Sequence, residues 1–426
     1  MRYIHDQCRP GYSALLHTFF LLIAGHCQLV GGAENDTQVV LKLHDTPGSL
    51  VATSRHSIYV LDPVSLVPGS NWCYGVLKEL AYDRPKIKAD RVIWRGVCVY
   101  NVNTESAQWW LLDNSLLNCV IDVVPVASPV SSSILVSVAT KERRAGSIGV
   151  VYDLSPQARA LVKIGPTRPV GQLYAALFES DYVLHWGESA TSQFGLSVRG
   201  NNDRRLIPLP AHWCDLVQDV PGDMIHHSTM SFSAGVSTDD IVIGNQRPNL
   251  SLRRVSLDRG TPRTMWQRTE EDLKMSFGEP FTYLYILPGQ VRGSQRCHFS
   301  LSKSLGKWQL GSVRVSDGAV IRSVTLPRWP IGACVSSDGL RIAVGPTSQD
   351  GSSIWIHDLT SDEVTHRPFR QDELRLKPNE PIRVGPIGFI GDTVVISDGQ
   401  SMWKMPPPYN NPPNLAFRLS NALPTE

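Results

Sequence analysis

The sequence lacks the short motifs that mark nucleotide or hydrolytic chemistry. It has no GxGxxG, no GxxxxGK followed by Ser or Thr, no GxSxG and no HExxH. Without a glycine-rich turn opening a helix, nothing offers the run of backbone N–H groups that cradles a phosphate. Charge of one sign is lacking too. The formal net charge is +2 and only 19% of residues are charged, so no global attraction to nucleic acid or anionic membrane follows. No CxxC pair occurs among the eight cysteines, which removes the usual zinc and redox spacings. After the first thirty-odd residues no apolar run approaches the about 18 needed to span a bilayer, so no later membrane span is expected.

What is present begins with a leader. Arg2 and Arg9 precede the apolar run Ala14–Ala24, which is too short to cross a membrane, and the small residues Gly31, Gly32 and Ala33 follow. This pattern predicts a signal peptide over 1–33, cleaved before Glu34, and a secreted or periplasmic location. Cys8 and Cys27 leave with it. The remaining Cys73, Cys98, Cys119, Cys214, Cys297 and Cys334 allow fifteen pairings, among which sequence does not choose. Cys98 and Cys334 sit within apolar strands and read as buried thiols acting as small hydrophobes. Asn35-Asp36-Thr37 and Asn249-Leu250-Ser251 fit the glycosylation acceptor pattern.

From residue 38 the pattern is β throughout. A strand that alternates and ends near an Asp recurs as Ile58–Asp62, Trp109–Asp113, Ile148–Asp153, Leu252–Asp258, Val313–Asp317 and Ile354–Asp358. Weaker copies lie at Phe194–Arg199 and Ser401–Met405. Asp suits this place because it tolerates turn dihedrals and bonds the backbone two residues on. The eight copies recur at intervals of about 40 to 60 residues, the range of repeated sheet units. Helix signals are scarce: Gln267–Met275 reads as a helical turn or two, and Trp72–Leu80 is ambiguous. Pro406-Pro407-Pro408 ends the last unit after three strands, because proline cannot continue a ladder. The 406–426 tail, rich in Pro and Asn, reads as loosely ordered.

The clearest unit is Ile331–Thr360. It has a strand Ile331–Val335, a turn at Ser337-Asp338-Gly339, a strand Leu340–Val344 and an alternating strand Ile354-Trp355-Ile356 ending at Asp358. In the turn Ser336-Ser337-Asp338-Gly339 and the strand end Ile354-Trp355-Ile356-His357-Asp358 the chain resembles the WD40-like β-propeller group. That resemblance implies an all-β fold: a single propeller over 38–405 with eight blades, seven being the alternative if Val39–Leu66 and Pro386–Met405 share one. Contact between N- and C-terminal strands would close it. The related quinoprotein-like family would add a vicinal Cys-Cys pair. No two cysteines here are adjacent, so no cofactor is expected.

Candidate chemistry is thin. His226-His227 chelates a metal jointly only from a loop, since adjacent strand residues face opposite ways; a solvated pair is the plainer reading. Glu270-Glu271-Asp272 fits the first turn of a helix, where acids complement the dipole, better than a catalytic carboxylate pair. His357-Asp358 reads as structural and His185-Trp186 as packing. Trp94, Trp109, Trp110, Trp186, Trp355 and Trp403 fall in strands and are expected to fill the wedges between sheets, with Trp355 in the core. Trp72, Trp213 and Trp329 lie in or beside loops.

These readings favour a non-enzymatic, monomeric exported module that binds a protein or other macromolecule, not nucleic acid. The alternative is a propeller enzyme working at the central channel. The expected contact residues are Arg168, His226, His227, Arg328, Trp329 and Arg383, on connections from each outer strand to the next inner strand. Arg and Trp are the types that most often dominate interface energy.

Overall fold

The computed structural model describes residues 41–44, 50–51, 57–67, 69–82, 89–112, 119–127, 132–140, 147–153, 162–170, 172–176, 182–186, 194–198, 206–208, 231–234, 240–245, 250–256, 262–278, 280–289, 293–302, 308–326, 332–345, 352–376, 382–419 and 421–422. Side chains are described for most of 57–111, 240–321 and 332–419 within those spans.

Seven sheets of four or more strands follow one another along the described chain. Each is an antiparallel meander in which sequential strands are neighbours. The first holds Ser57–Leu66, Trp72–Tyr82, Ala89–Asn101 and Ser106–Leu112, with Leu41–His44 added outside the last. The second holds Cys119–Ala127, Ser132–Thr140, Ser147–Asp153 and Val162–Val170. The third holds Gln172–Ala176, Tyr182–Trp186, Phe194–Val198 and Leu206–Pro208. The fourth holds Ser231–Ala234, Asp240–Asn245, Ser251–Ser256 and Arg263–Arg268. The fifth holds Tyr283–Ile286, Arg296–Ser302, Trp308–Arg314 and Val320–Leu326. The sixth holds Ala333–Val335, Arg341–Val344, Ser353–Asp358 and Val364–Pro368. The seventh holds Gly385–Ile390, Thr393–Ser397, Ser401–Met405 and Asn414–Arg418.

Three sequence expectations change here. The Ile58–Asp62 and Trp109–Asp113 copies belong to one sheet, as its first and last strands, so eight hairpin copies do not make eight sheets. The segments around Leu66 and Pro386 do not share a sheet. The prolines at 406–408 do not end the last unit. They lie in a connection, and Asn414–Arg418 resumes the ladder with Ser401↔Arg418 and Met402↔Phe417. Trp72–Tyr82 is a strand, and the helical signal near 270 becomes the helix Glu270–Phe277.

The strands stack in faces because the sequence buries both sides of the middle ones. Arg296–Ser302 is buried at every residue from Cys297 onward. Cys297, Phe299 and Leu301 pack with Val242 and Leu252 of the fourth sheet. Val335, Ile342 and Val344 of the sixth sheet meet Trp308 and Leu310 of the fifth. Ile354 and Ile356 meet Ile396 and Trp403 of the seventh. Outer strands are exposed by contrast: in Arg263–Arg268 no residue is buried.

The seventh sheet then packs on the first. Val395 and Met402 share a cluster with Leu61, Leu77 and Tyr100. The Tyr100 hydroxyl donates to Ala416 O at 2.6 Å, and Phe417 lies 5.1 Å from the Tyr100 ring. Leu61 N–H donates to Gly399 O at 2.7 Å. Gly388 is required at this seam, because a Cβ there would lie 2.4 Å from Leu66 Cβ. The chain ends also meet as a parallel pair, Leu50↔Asn421 and Val51↔Ala422.

Turn chemistry follows the sequence. Asp358 accepts the N–H groups of Thr360 at 2.8 Å and Ser361 at 3.2 Å. Asp338 accepts Leu340 N–H at 2.9 Å, with Gly339 at φ 72°, a left-handed conformation that glycine adopts without strain. Asp358→Ala is expected to cost about 0.5–2 kcal/mol, since it strands two turn donors. Equilibrium denaturation measures it, and a change within error of wild type would remove Asp358 from the turn's support.

Candidate functional site

The site grows from the connection between the sixth and seventh sheets. Phe369 and Leu374 are 4% and 0% exposed and pin this segment to the core they share with Val384 and Phe389. Between the two anchors the backbone folds on itself, with Arg375 N–H donating to Asp372 O at 3.2 Å and Leu376 N–H to Gln371 O at 2.9 Å. Beneath, Glu373 accepts Arg367 Nη2 at 3.0 Å and Arg370 N–H at 3.2 Å. Both side chains of the Arg367–Glu373 pair are 10% exposed, so one carboxylate neutralises the buried guanidinium.

Arg375 sits at φ 53°, where a non-glycine residue is uncommon. Arg418, at the end of the last strand of the seventh sheet, holds that turn from below. Its Nη1 and Nη2 donate to Arg375 O at 3.2 Å and Leu374 O at 3.1 Å, and its Nε donates to Ser401 Oγ at 3.0 Å. The result is a strap, described at 369–376 and from 382 onward, whose Arg370, Arg375 and Arg383 side chains are exposed. Arg370 is flanked by Asp372 at 3.4 Å and Glu373 at 3.5 Å. Arg375 and Arg383 form no ion pair among the described residues. Asp398, also at this end, accepts Gln400 N–H at 2.7 Å and Ser401 N–H at 2.6 Å.

The opposite end of the same two sheets carries the other sign. Arg341, in the second strand of the sixth sheet, meets Asp392 at 2.6 Å, Asp358 at 3.4 Å and Asp338 at 3.6 Å. Asp362 and Glu363 are exposed beside them. Partial burial pushes the Asp358 carboxyl up. The N–H groups of Thr360 and Ser361 and the Arg341 guanidinium outweigh it and hold the group below the ordinary carboxylate range. Tyr409 O–H donates to Asp392 O at 2.8 Å, and burial raises its phenol.

The expected contact residues are placed unevenly. Arg383 lies on the strap end as expected. Arg168 is not on a connection: it pairs with Gly149 inside Val162–Val170, just past a register shift after Ile164. His226, His227, Arg328 and Trp329 lie outside the described residues, as do Trp213 and Trp329 among the loop tryptophans. Trp72 opens a strand. Sequence reasoning missed Arg370 and Arg375. The signal available was the arginine density from Arg367 to Arg375, directly after an outer strand.

Other candidates resolve into structure. Glu270, Glu271 and Asp272 form the first turn of the helix, capped by Thr269, whose N–H donates to Asp272 Oδ2 at 2.8 Å. His357 is 4% exposed in its strand. Cys73, Cys98, Cys297 and Cys334 are buried, and burial pushes the Cys73, Cys98 and Cys334 thiols up. Among the described residues no group of three or more His, Cys, Asp or Glu is arranged to hold a metal ion. No helix among them is long and apolar enough to cross a membrane.

No family model and no curated protein matches the chain. Solved structures do resemble it. They are β-propellers. The propeller domain of the Trilobed protease from Pyrococcus furiosus is 12% identical, covers 85% of this chain and 99% of that one, and superposes with a TM-score of 0.48. The WD40 domain of SCAP from fission yeast is 8% identical over 84% and 92%, with a TM-score of 0.42. The Dos1 propeller is 12% identical over 78% and 82%, with a TM-score of 0.41. At such identities the likeness concerns architecture and leaves the role to the site.

Proposed function

We propose that this chain is an exported, non-enzymatic β-propeller of seven blades, closed where the seventh sheet meets the first, which binds a protein partner across one end of the ring. The observation that carries this reading is the strap. It exposes Arg370, Arg375 and Arg383 on a backbone that buried anchors and Arg418 hold in place. A surface fixed before binding loses less entropy on association, and guanidinium groups recur at interface hot spots. The leader over 1–33 supports export.

The same end of a propeller carries the other connections between consecutive blades, so Arg328 and Trp329 complete the proposed contact set with His226 and His227. The test begins with N-terminal sequencing of the protein purified from the outside of expressing cells, which is expected to read from Glu34. A partner from that compartment is then bound to the mature protein, and the affinity is measured for Arg328→Ala with Trp329→Ala. The double variant is expected to bind at least tenfold more weakly at an unchanged melting temperature. Retention inside the cell with Met1 intact counts against export, and unchanged affinity moves the contact surface elsewhere.

A further inference from the structure

The charged groups at the strap end of the sixth and seventh sheets are unequal in number and in freedom. Among the described residues Arg367, Arg370, Arg375, Arg383 and Arg418 stand against Asp372, Glu373 and Asp398. Two of those carboxylates are already occupied. Glu373 is bound by the buried Arg367, and Asp398 by two backbone N–H groups. Among the described residues only Asp372, as exposed as Arg370, and the second oxygen of Glu373 remain to offset the outward guanidinium groups. The far end inverts this balance among the described residues: Asp338, Asp358 and Asp392 pair with Arg341, Asp362 and Glu363 are exposed on the same turn as Asp358, and Lys404 there is taken by Glu105 at 2.7 Å. Among the described residues of these two adjoining sheets, charge is therefore separated along one axis. Such separation gives a field with a direction, which orients an approaching partner more than it tightens the final complex.

We propose that the strap end docks a carboxylate-rich extended segment of the protein partner, a reading that rests on the protein-binding function above. Arg375 and Arg383 supply planar forks that bind carboxylates two bonds at a time. Among the described residues they have no ion pair to break first, and Arg370 exchanges Asp372 and Glu373 for a partner group. The φ of Arg375 directs its side chain from a turn whose carbonyls Arg418 already satisfies, so binding needs no backbone rearrangement. The acid-rich far end repels the same segment, which fixes which end it meets.

The test uses a fluorescein-labelled deca-glutamate peptide and the mature protein, with a deca-lysine peptide and a ten-nucleotide single-stranded DNA as comparisons. Arg375→Asn with Arg383→Glu removes two exposed guanidinium groups while leaving an αL-tolerant residue at 375. Asp362→Asn at the far end is the matched control, because Asp362 sits at φ 64° and Asn tolerates it. The expected result is saturable binding of the glutamate peptide at low salt. It weakens at least tenfold in the double variant and when salt rises to physiological strength, and it is unchanged or tighter in Asp362→Asn. A melting temperature equal to wild type shows that the variant is folded. Should the double variant melt early, Arg370→Gln gives the same reading with weakening of at least threefold.

Failure to bind the glutamate peptide, equal binding by wild type and variant, or tighter binding of DNA than of peptide each overturns the proposal. If the natural partner binds normally and ignores both salt and these substitutions, the acidic-segment proposal fails while the protein-binding function stands. If no partner binds at all, the function itself fails.

Discussion

Trp403→Ala is expected to lower stability by about 3–5 kcal/mol, the usual cost of emptying a large buried aromatic site. Trp403 is 0% exposed. It lies in the third strand of the seventh sheet and fills the wedge against Ala343, Ile354 and Ile356 of the sixth. Two sheets lose packing at once, so relaxation from either side recovers little. Trp355→Ala is the informative contrast. Its position in an alternating strand predicts a core residue, but Trp355 is only partly buried, with His366 of the outer strand stacked at 4.4 Å. Its removal costs well under that of Trp403. Urea denaturation of the two variants decides the matter, and equal losses would mean that the strand's faces are misassigned.

Acidification is expected to unlock the seam between the fifth and sixth sheets through His298. The imidazole is 0% exposed and spans the two sheets. Its Nε2 lies 2.8 Å from Gly339 O in the sixth-sheet turn, and its Nδ1 lies 2.6 Å from Ser312 Oγ in the neighbouring strand. A carbonyl only accepts, so Nε2 carries the proton and Nδ1 accepts from the Ser312 hydroxyl. Burial drives the His298 pKa down to about 4 from 6.5, with Arg296 adding to the effect and the Gly339 carbonyl opposing it.

The unfolded chain therefore binds one more proton than the folded chain between those values. Stability from this group is fully present above pH 6.5 and is lost as the pH falls toward 4, by about 3 kcal/mol in all. In His298→Gln the slope from this group vanishes, although the variant starts less stable at pH 7. Subtracting the two stability-against-pH curves cancels the shared carboxylate contributions. Parallel curves between pH 6.5 and 4.5 would show that His298 is already charged or already exposed.

The parts of the fold legible in the sequence were those written locally. Two-residue alternation placed Ser353–Asp358 and Thr393–Ser397, and the Asp-containing turns did what their chemistry allows, as Asp358 and Asp338 demonstrate. The capped acidic start of Glu270–Phe277 was equally local. What escaped depends on tertiary partners. Proline at 406–408 excludes a ladder only at those residues, and Phe417 is drawn back into pairing by packing on Tyr100 and Trp109 of a sheet some three hundred residues earlier. Repeat counting took Ile58–Asp62 and Trp109–Asp113 as separate units, because an alternating strand ending in Asp looks alike in first and fourth position.

The candidate site was less legible. Arg383 could be read as an exposed arginine between strands. Arg375 could not, because its backbone conformation depends on Arg418, forty-three residues away in sequence. Arg168 looked like a loop residue between two prolines. A register shift lets its strand absorb Pro166 and continue through Pro169; bulges accommodate proline where a regular ladder does not.

The proposed ring closure rests on the seventh sheet lying against the first. Zero-length carbodiimide coupling tests it most directly, because it joins an amine to a carboxylate only when they are in contact. Lys404 Nζ lies 2.7 Å from Glu105 Oε1, across 299 residues of sequence, while Lys274 and Glu271, at 3.6 Å within the helix, report that the reagent works. The expected result is both isopeptide bonds in the peptide map of the monomer. A map with the helical bond and without the Lys404–Glu105 bond would contradict the closed ring.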